Sequence, residues 1–186
     1  MSFNEYGPDD FKRLLKAIDS HLDRKVEVIL IGGTAALLAF KGTRLTHDID
    51  SFSIITAVLR KAYELAKAET GLDIPMSQAS VAEAPYGFEE RLFSYEAASF
   101  KHLSVLIPEI HDFILMKSVR GYEHDLDVIE EISRNNKIEK DILIERFDKE
   151  MDHAIGNKGN IKKNFAAVLS RCFGEEVADE WQARNK

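Results

Sequence analysis

An α+β fold is predicted for this chain, with a mixed N-terminal half and a helical C-terminal part, and three observations predict it. A β-branched run, Val26-Glu27-Val28-Ile29-Leu30-Ile31, sits between two segments of helical periodicity. Further short strand-like runs continue to Ile107. Beyond Pro108 only the spacing of amphipathic helices remains. The predicted division is therefore residues 1–107, an α/β core, and residues 108–186, a helical part packed on that core.

The first element is a helix capped by Asp9 and Asp10, with Phe11, Leu14, Leu15, Ile18 and Leu22 on one stripe. The strand Val26 to Ile31 follows and ends abruptly at Gly32-Gly33. Thr34 to Phe40 is rich in Ala and Leu and reads as a short helix, with Gly42 as its stop. A second strand is expected over His47 to Ile54. A helix then runs to Thr70, with Ile55, Val58, Leu59, Ala62, Leu65 and Ala66 inward and Gly71 ending it. Between Leu72 and Glu90 the periodicity fades, and Pro75, Pro85 and Gly87 mark loops. Two short strands are predicted at Arg91 to Tyr95 and His102 to Ile107. Helices are then expected from Pro108 to Arg120, His124 to Ser133 and Glu139 to Met151. A last helix carries Ile161, Phe165, Val168, Leu169, Cys172 and Phe173, after the break Gly156-Asn157-Lys158-Gly159-Asn160.

Composition narrows the function classes. A chain of 186 residues, 45% hydrophobic and 31% charged, suits one soluble globular domain with a small appendage. The formal net charge of −7 argues against a broad electrostatic grip on nucleic acid, which needs many Lys and Arg on phosphates. The single cysteine, Cys172, excludes an internal disulfide and a thiolate zinc site, and reads as an apolar filler. Met1 to Asp10 have no apolar stretch of the secretory kind, and no apolar run approaches the roughly 20 residues that cross a bilayer. A cytoplasmic protein with no membrane partner is expected.

The chemistry-bearing stretch is Ile31-Gly32-Gly33-Thr34 followed by Thr46-His47-Asp48-Ile49-Asp50. Side chains alternate across a strand, so Asp48 and Asp50 share one face, about 7 Å apart, and Ile49 takes the other. Two carboxylates so placed suit a hard divalent cation such as Mg²⁺. Gly32 and Gly33, lacking β-carbons, let backbone approach a polyphosphate, and the helix behind them offers free N–H groups. Thr34 adds a hydroxyl that either donates to the phosphates or caps that helix. The bland alternative is a tight turn plus two solvent-facing acids at a strand end.

The run Gly32-Gly33-Thr34-Ala35 through Arg44, Thr46, Asp48, Ile49 and Asp50 resembles the opening motif of the nucleotidyltransferase superfamily, and is similar to that of the AbiEii-like toxins and their uncharacterised bacterial relatives. Two further stretches carry the resemblance. Pro85-Tyr86-Gly87-Phe88-Glu89-Glu90-Arg91-Leu92 looks like a proline-glycine-aromatic motif of one small branch. Asp112 to Lys117 with Arg120-Gly121 looks like its Asp–four residues–Lys helix, followed by a segment that matches at Asp125. The resemblance spans roughly residues 26–150. It implies a small mixed sheet flanked by helices, Mg²⁺ on Asp48 and Asp50, an NTP whose phosphates meet Gly32 and Gly33, and Lys117 near the nucleotide. It also implies transfer of an NMP to an acceptor hydroxyl on RNA or protein, within a toxin–antitoxin or phage-defence setting that brings a cognate antitoxin protein. The same fold without turnover, a nucleotide- or protein-binding module, is the alternative.

Two departures stand out. The later segment reads His124-Asp125-Leu126-Asp127-Val128, where the branch reads Lys-Asp with a further Asp three residues on. A two-metal transferase also uses a third carboxylate from another strand; Asp73 is the nearest candidate and Glu96 the next. Lys117 reads either as a nucleotide contact or as a snorkelling surface lysine. Arg44 reads as a phosphate clamp or a solvated loop arginine, and His47 as positional rather than a ligand. Glu89, Glu90 and Arg91 are read as structural, pairing among themselves or with the helical part. Lys137, Lys140, Lys158, Lys162 and Lys163 form a modest basic cluster, a solvated face that is also the one place an RNA would find charge.

Overall fold

The computed structural model describes residues 4–79 and 83–185. It shows an α+β protein with a five-stranded mixed sheet and, among the described residues, eight α-helices. The elements in order are α1 (Pro8–Ser20), β1 (Val26–Ile31), α2 (Gly32–Ala39), β2 (Ile49–Ser51), α3 (Ala57–Thr70), β3 (Met76–Gln78), β4 (Phe93–Ser94), β5 (Leu103–Ile107), α4 (Ile110–Arg120), α5 (Glu123–Asn135), α6 (Lys140–Glu150), α7 (Lys158–Phe173) and α8 (Glu175–Arg184). None of the described helices is long and apolar enough to cross a membrane.

The chain forms two compact units. The first holds the described residues of Met1–Ala39, Thr43–Ser80 and Leu92–Pro108; the second holds those of Phe40–Gly42, Val81–Arg91 and Glu109–Lys186.

In the first unit the strands lie in the order β3-β2-β1-β5-β4. The pairs β1–β5 and β2–β3 are parallel, while β1–β2 and β4–β5 are antiparallel. Strand alternation gives the sheet two unlike faces. Val28, Leu30, Ile49, Ser51, Met76, Leu103, Val105 and Ile107 are buried on one face. Ile29, Asp50, Ser104 and Leu106 are partly open on the other, and Ser77 there is exposed. The stripe Phe11, Leu14, Leu15 and Ile18 of α1 is fully buried. Helix α1 also pins the start of β5: the Asp19 carboxylate accepts N–H bonds from Lys101, His102 and Leu103 at 2.6–3.1 Å. Burial pushes that carboxyl up, but the three backbone donors hold it below the usual range.

The local expectations fail in instructive places. β2 covers Ile49–Ser51 alone, shorter than His47 to Ile54. Its pairing ends where Ser53 turns inward: the Ser51 hydroxyl donates to the Ser53 carbonyl at 2.8 Å, and the Ser53 hydroxyl accepts from Ile29 N–H. α3 begins after Thr56, whose hydroxyl caps it, and stops at Gly71 with φ +68°. Along it Leu59, Ala62 and Ala66 are buried as expected, but Leu65 is 44% exposed and Tyr63 is buried instead, its hydroxyl donating to the Ile74 carbonyl at 2.6 Å. The stretch read as loop contains β3, a strand too short for its alternation to register. Residues Phe88–Arg91, expected partly as strand, form a single 3-10 turn.

The second unit is helical, and α8 was not foreseen. Its core is aromatic: Phe147 and Phe165 stack with centroids 3.8 Å apart, and Trp181 of α8 meets both edge-on. Burying each such ring contributes about 1.5–3 kcal/mol. The indole N–H of Trp181 donates to Asp148 at 3.1 Å. Cys172 is partly buried on α7, and burial pushes its thiol up to about 11, which makes it inert.

Candidate functional site

The site is built where β1 ends. Gly32 adopts φ +66°, a left-handed conformation that turns the chain from strand into helix α2 without an intervening loop. The antiparallel register sets Ile31 opposite Asp50, so Asp50 arrives beside this corner. The fit is close. A β-carbon on Gly32 would stand 2.8 Å from Asp50 Oδ2, and one on Gly33 would stand 2.6 Å from the Thr46 hydroxyl oxygen. Both glycines are therefore required by what lies over them.

Asp48 is held from two sides. The Thr34 hydroxyl, itself buried, donates to the Asp48 carbonyl at 2.6 Å. The Thr46 hydroxyl donates to Asp48 Oδ1 at 3.4 Å, a long contact. Thr46 is fixed in turn by a two-way backbone bridge to Tyr6. Asp48 and Asp50 flank Ile49, which is fully buried while both acids are partly exposed. Asp50 lies within β2, whereas Asp48 precedes its first residue, Ile49.

The other predicted site residues fall as follows. Arg44 is exposed in the loop between α2 and β2. The His47 ring bonds the Asn4 carbonyl at 3.0 Å, so it ties down the N-terminal segment. Neither third-acid candidate joins the pair: the Asp73 carboxylate is an exposed partner of Lys67 at 2.5 Å, and Glu96 pairs with Lys12 at 3.1 Å. Among the described residues, no group of three or more His, Cys, Asp or Glu is placed to hold a metal. On β3, the position opposite Asp50 is occupied by Ser77.

Lys117 belongs to the helical unit and is buried there. Its ammonium donates to Asp125 Oδ1 at 2.8 Å, and Arg120 donates to the same oxygen at 2.8 Å. Burial pushes the Asp125 carboxyl up, yet these two cations hold it below its ordinary range. Its other oxygen, Oδ2, is buried without a hydrogen-bond partner. Asp127 faces outward to Arg171.

Arg91, in the proline-glycine-aromatic motif, is structural. It forks onto the fully buried Asp112 through Nε at 2.8 Å and Nη2 at 3.1 Å, and reaches Glu150 at 2.6 Å. Arg146 adds a bond to Asp112 at 2.9 Å. The basic cluster is partly spent on backbone carbonyls, since Lys158 donates to that of Ala154 and Lys162 to that of Asn185.

The donor set at the glycine corner suits Mg²⁺. It consists of hard carboxylate oxygens on a partly open face, against backbone that lacks β-carbons. Sequence reading passed over Thr46, whose hydroxyl lies over Gly33. Thr46 lay within the quoted motif, but nothing local shows that its hydroxyl would cover Gly33.

A family model described as a nucleotidyltransferase of unknown function (DUF6036) matches residues 10–169. No curated protein and no solved structure matches the chain at a significant level. That match takes in the glycine corner, both aspartates, Arg91 and the Lys117–Asp125 pair, and the chain belongs to this nucleotidyltransferase family.

Proposed function

We propose that this chain is an Mg²⁺-dependent nucleotidyltransferase of the AbiEii-like kind, moving an NMP unit from an NTP onto an acceptor hydroxyl of RNA or protein. One observation carries the reading: the Asp50 carboxylate lies against Gly32 at the turn from β1 into α2, with Asp48 two residues before it in the chain. A divalent cation there supplies neutralisation of the triphosphate and of charge developing during transfer.

The chain's own residues do the rest. Asp48 and Asp50 present oxygens to the cation. Gly32 and Gly33 give Asp50 and Thr46 room to lie over the corner, and the phosphates would meet the first N–H groups of α2, which have no partner within the helix. Thr34 positions Asp48 through its carbonyl, and Thr46 orients its carboxylate. Arg44 is the exposed guanidinium available to a phosphate in this unit's loop. Lys117, which the resemblance casts as a nucleotide contact, is held by Asp125. A role beside a cognate antitoxin, in toxin–antitoxin or phage-defence biology, follows from the resemblance.

The test is transfer of label from α-labelled NTPs with Mg²⁺ into cell extract. Incorporation lost in Asp48→Ala supports the reading; no transfer from any of the four NTPs removes it. The absence of a three-acid group among the described residues favours a second reading, a module that holds nucleotide without turnover. Calorimetry separates the two: NTP·Mg²⁺ binding without product selects the second.

A further inference from the structure

We propose that the loop between α6 and α7 is a docking site for a basic segment of a partner protein, which seats an arginine or lysine side chain in the cavity beside α6. Transfer at the glycine corner does not depend on it.

The loop leaves apolar surface uncovered. Ile155 is 80% exposed, and Tyr86 is 60% exposed. The Tyr86 ring lies against that of His153, itself exposed, with centroids 4.1 Å apart. Tyr86 is also fixed in place: its N–H donates to the Glu150 carbonyl at 3.1 Å, and its carbonyl accepts from Arg91 at 3.0 Å. An exposed aromatic already held rigid loses little entropy when a partner covers it, and aromatic rings attract cations.

This patch continues into a cavity of about 220 Å³. Met151 and Asp152 line the cavity and run directly into His153. Its apolar wall is made by the buried side chains of Phe147, Met151 and Ile161. Asp148 and Asp152 bring carboxylates, and neither is in an ion pair among the described residues. Asp148 uses one oxygen on the Trp181 N–H. The lysines that line the same cavity already donate to backbone carbonyls, Lys158 to Asp152 and Ala154, and Lys162 to Asn185. The volume is below the roughly 300–1,000 Å³ of pockets for small-molecule ligands. It suits one long side chain, its stem on the apolar wall and its cationic head on the two acids.

Charge selects the occupant. Glu89 and Glu90 are exposed in the turn that follows Tyr86, within four residues of it. Arg91 in that turn is taken up by Asp112 and Glu150. With Asp148 and Asp152, four exposed acids belong to this surface. They repel a phosphate backbone and attract a Lys- or Arg-bearing segment, so a protein fits and an RNA does not.

The probe is a fluorescein-labelled amphipathic peptide of arginine and leucine, read by anisotropy beside its glutamate counterpart and a single-stranded RNA oligonucleotide. The protein binds the arginine peptide alone, more weakly as salt rises, and the amide resonances of His153 and Ile155 shift on binding. Asp148→Asn with Asp152→Asn, and separately Ile155→Ser, each weaken it about tenfold. All three positions are exposed, and asparagine keeps an acceptor for Trp181, so the variants fold, which circular dichroism checks. Glu175→Gln with Glu176→Gln removes the same charge at the far end of α8, about 15 Å along the helix from Asn185, and leaves affinity unchanged. No binding, an equal loss in the α8 control, or full affinity in Ile155→Ser overturns the proposal. RNA binding that is lost with Ile155→Ser also overturns it, because the surface is then a nucleic-acid site.

Discussion

The Thr34 hydroxyl donates to the carbonyl of Asp48 at 2.6 Å, tying the first turn of α2 to the residue that leads into β2. The hydroxyl is buried, so it acts on the acid's backbone and not on solvent or ligand. Thr34→Val keeps the shape and removes the donor, leaving the Asp48 carbonyl short of a partner. The expected cost is about 1–2 kcal/mol in urea denaturation, with transfer falling through kcat and nucleotide affinity preserved. A large rise in KM for NTP with unchanged stability would show that the hydroxyl contacts phosphate.

Gly32→Ala should damage the corner twice. The residue sits at φ +66°, which costs a β-carbon-bearing residue about 1–2 kcal/mol, and the new methyl would meet Asp50 Oδ2 at 2.8 Å. Denaturation midpoints report the first effect. Mn²⁺ affinity reports the second, because Asp50 must move. Preserved affinity in the folded variant would place the cation away from Asp50.

Removing Asp112 should be among the most destabilising single changes. Its fully buried carboxylate receives Arg91 and Arg146, and truncation takes the shared partner from both, leaving Arg91 on Glu150 and Arg146 on Glu109. Asp112→Ala is expected to cost about 3–5 kcal/mol by chemical denaturation. A loss under about 1 kcal/mol would mean that solvent reaches the two arginines readily.

Lys117 can be tested for structure and chemistry separately. Lys117→Ala leaves the buried Asp125 with Arg120 and, at 3.8 Å, the His124 ring, and a loss of about 3–5 kcal/mol is expected. Lys117→Met with Asp125→Leu removes the pair together and should recover most of that stability. If the folded double variant also transfers label normally, the pair is purely structural.

Glu109 supplies the pH dependence. Burial pushes it up, but His111 and Arg146 outweigh that and lower it from 4.5 to about 2. A lowered folded-state pKa means that the unfolded chain binds more protons between those values. The group's contribution is therefore complete above about pH 4.5 and is lost as pH falls towards 2. Unfolding free energy measured from pH 5 to 2 should drop more steeply for wild type than for Glu109→Gln. Equal slopes would contradict the pairing.

The sequence by itself determined the local parts of this protein. The stripe of α1, the strand Val26–Ile31 and the break at Gly32-Gly33 depend on periodicity and on the missing β-carbon. These act within a few residues, so neighbouring letters reveal them. Tertiary structure alone decided which distant groups meet: Asp50 on Gly32, Thr46 over Gly33, Ser77 beside Asp50, and Arg91 forked onto Asp112. Each of those follows from strand order and register, or from a buried charge finding its partner 21 residues along the chain. A three-residue strand such as Met76–Gln78 has too little pattern to announce its pairing, and only the assembled sheet fixes its place.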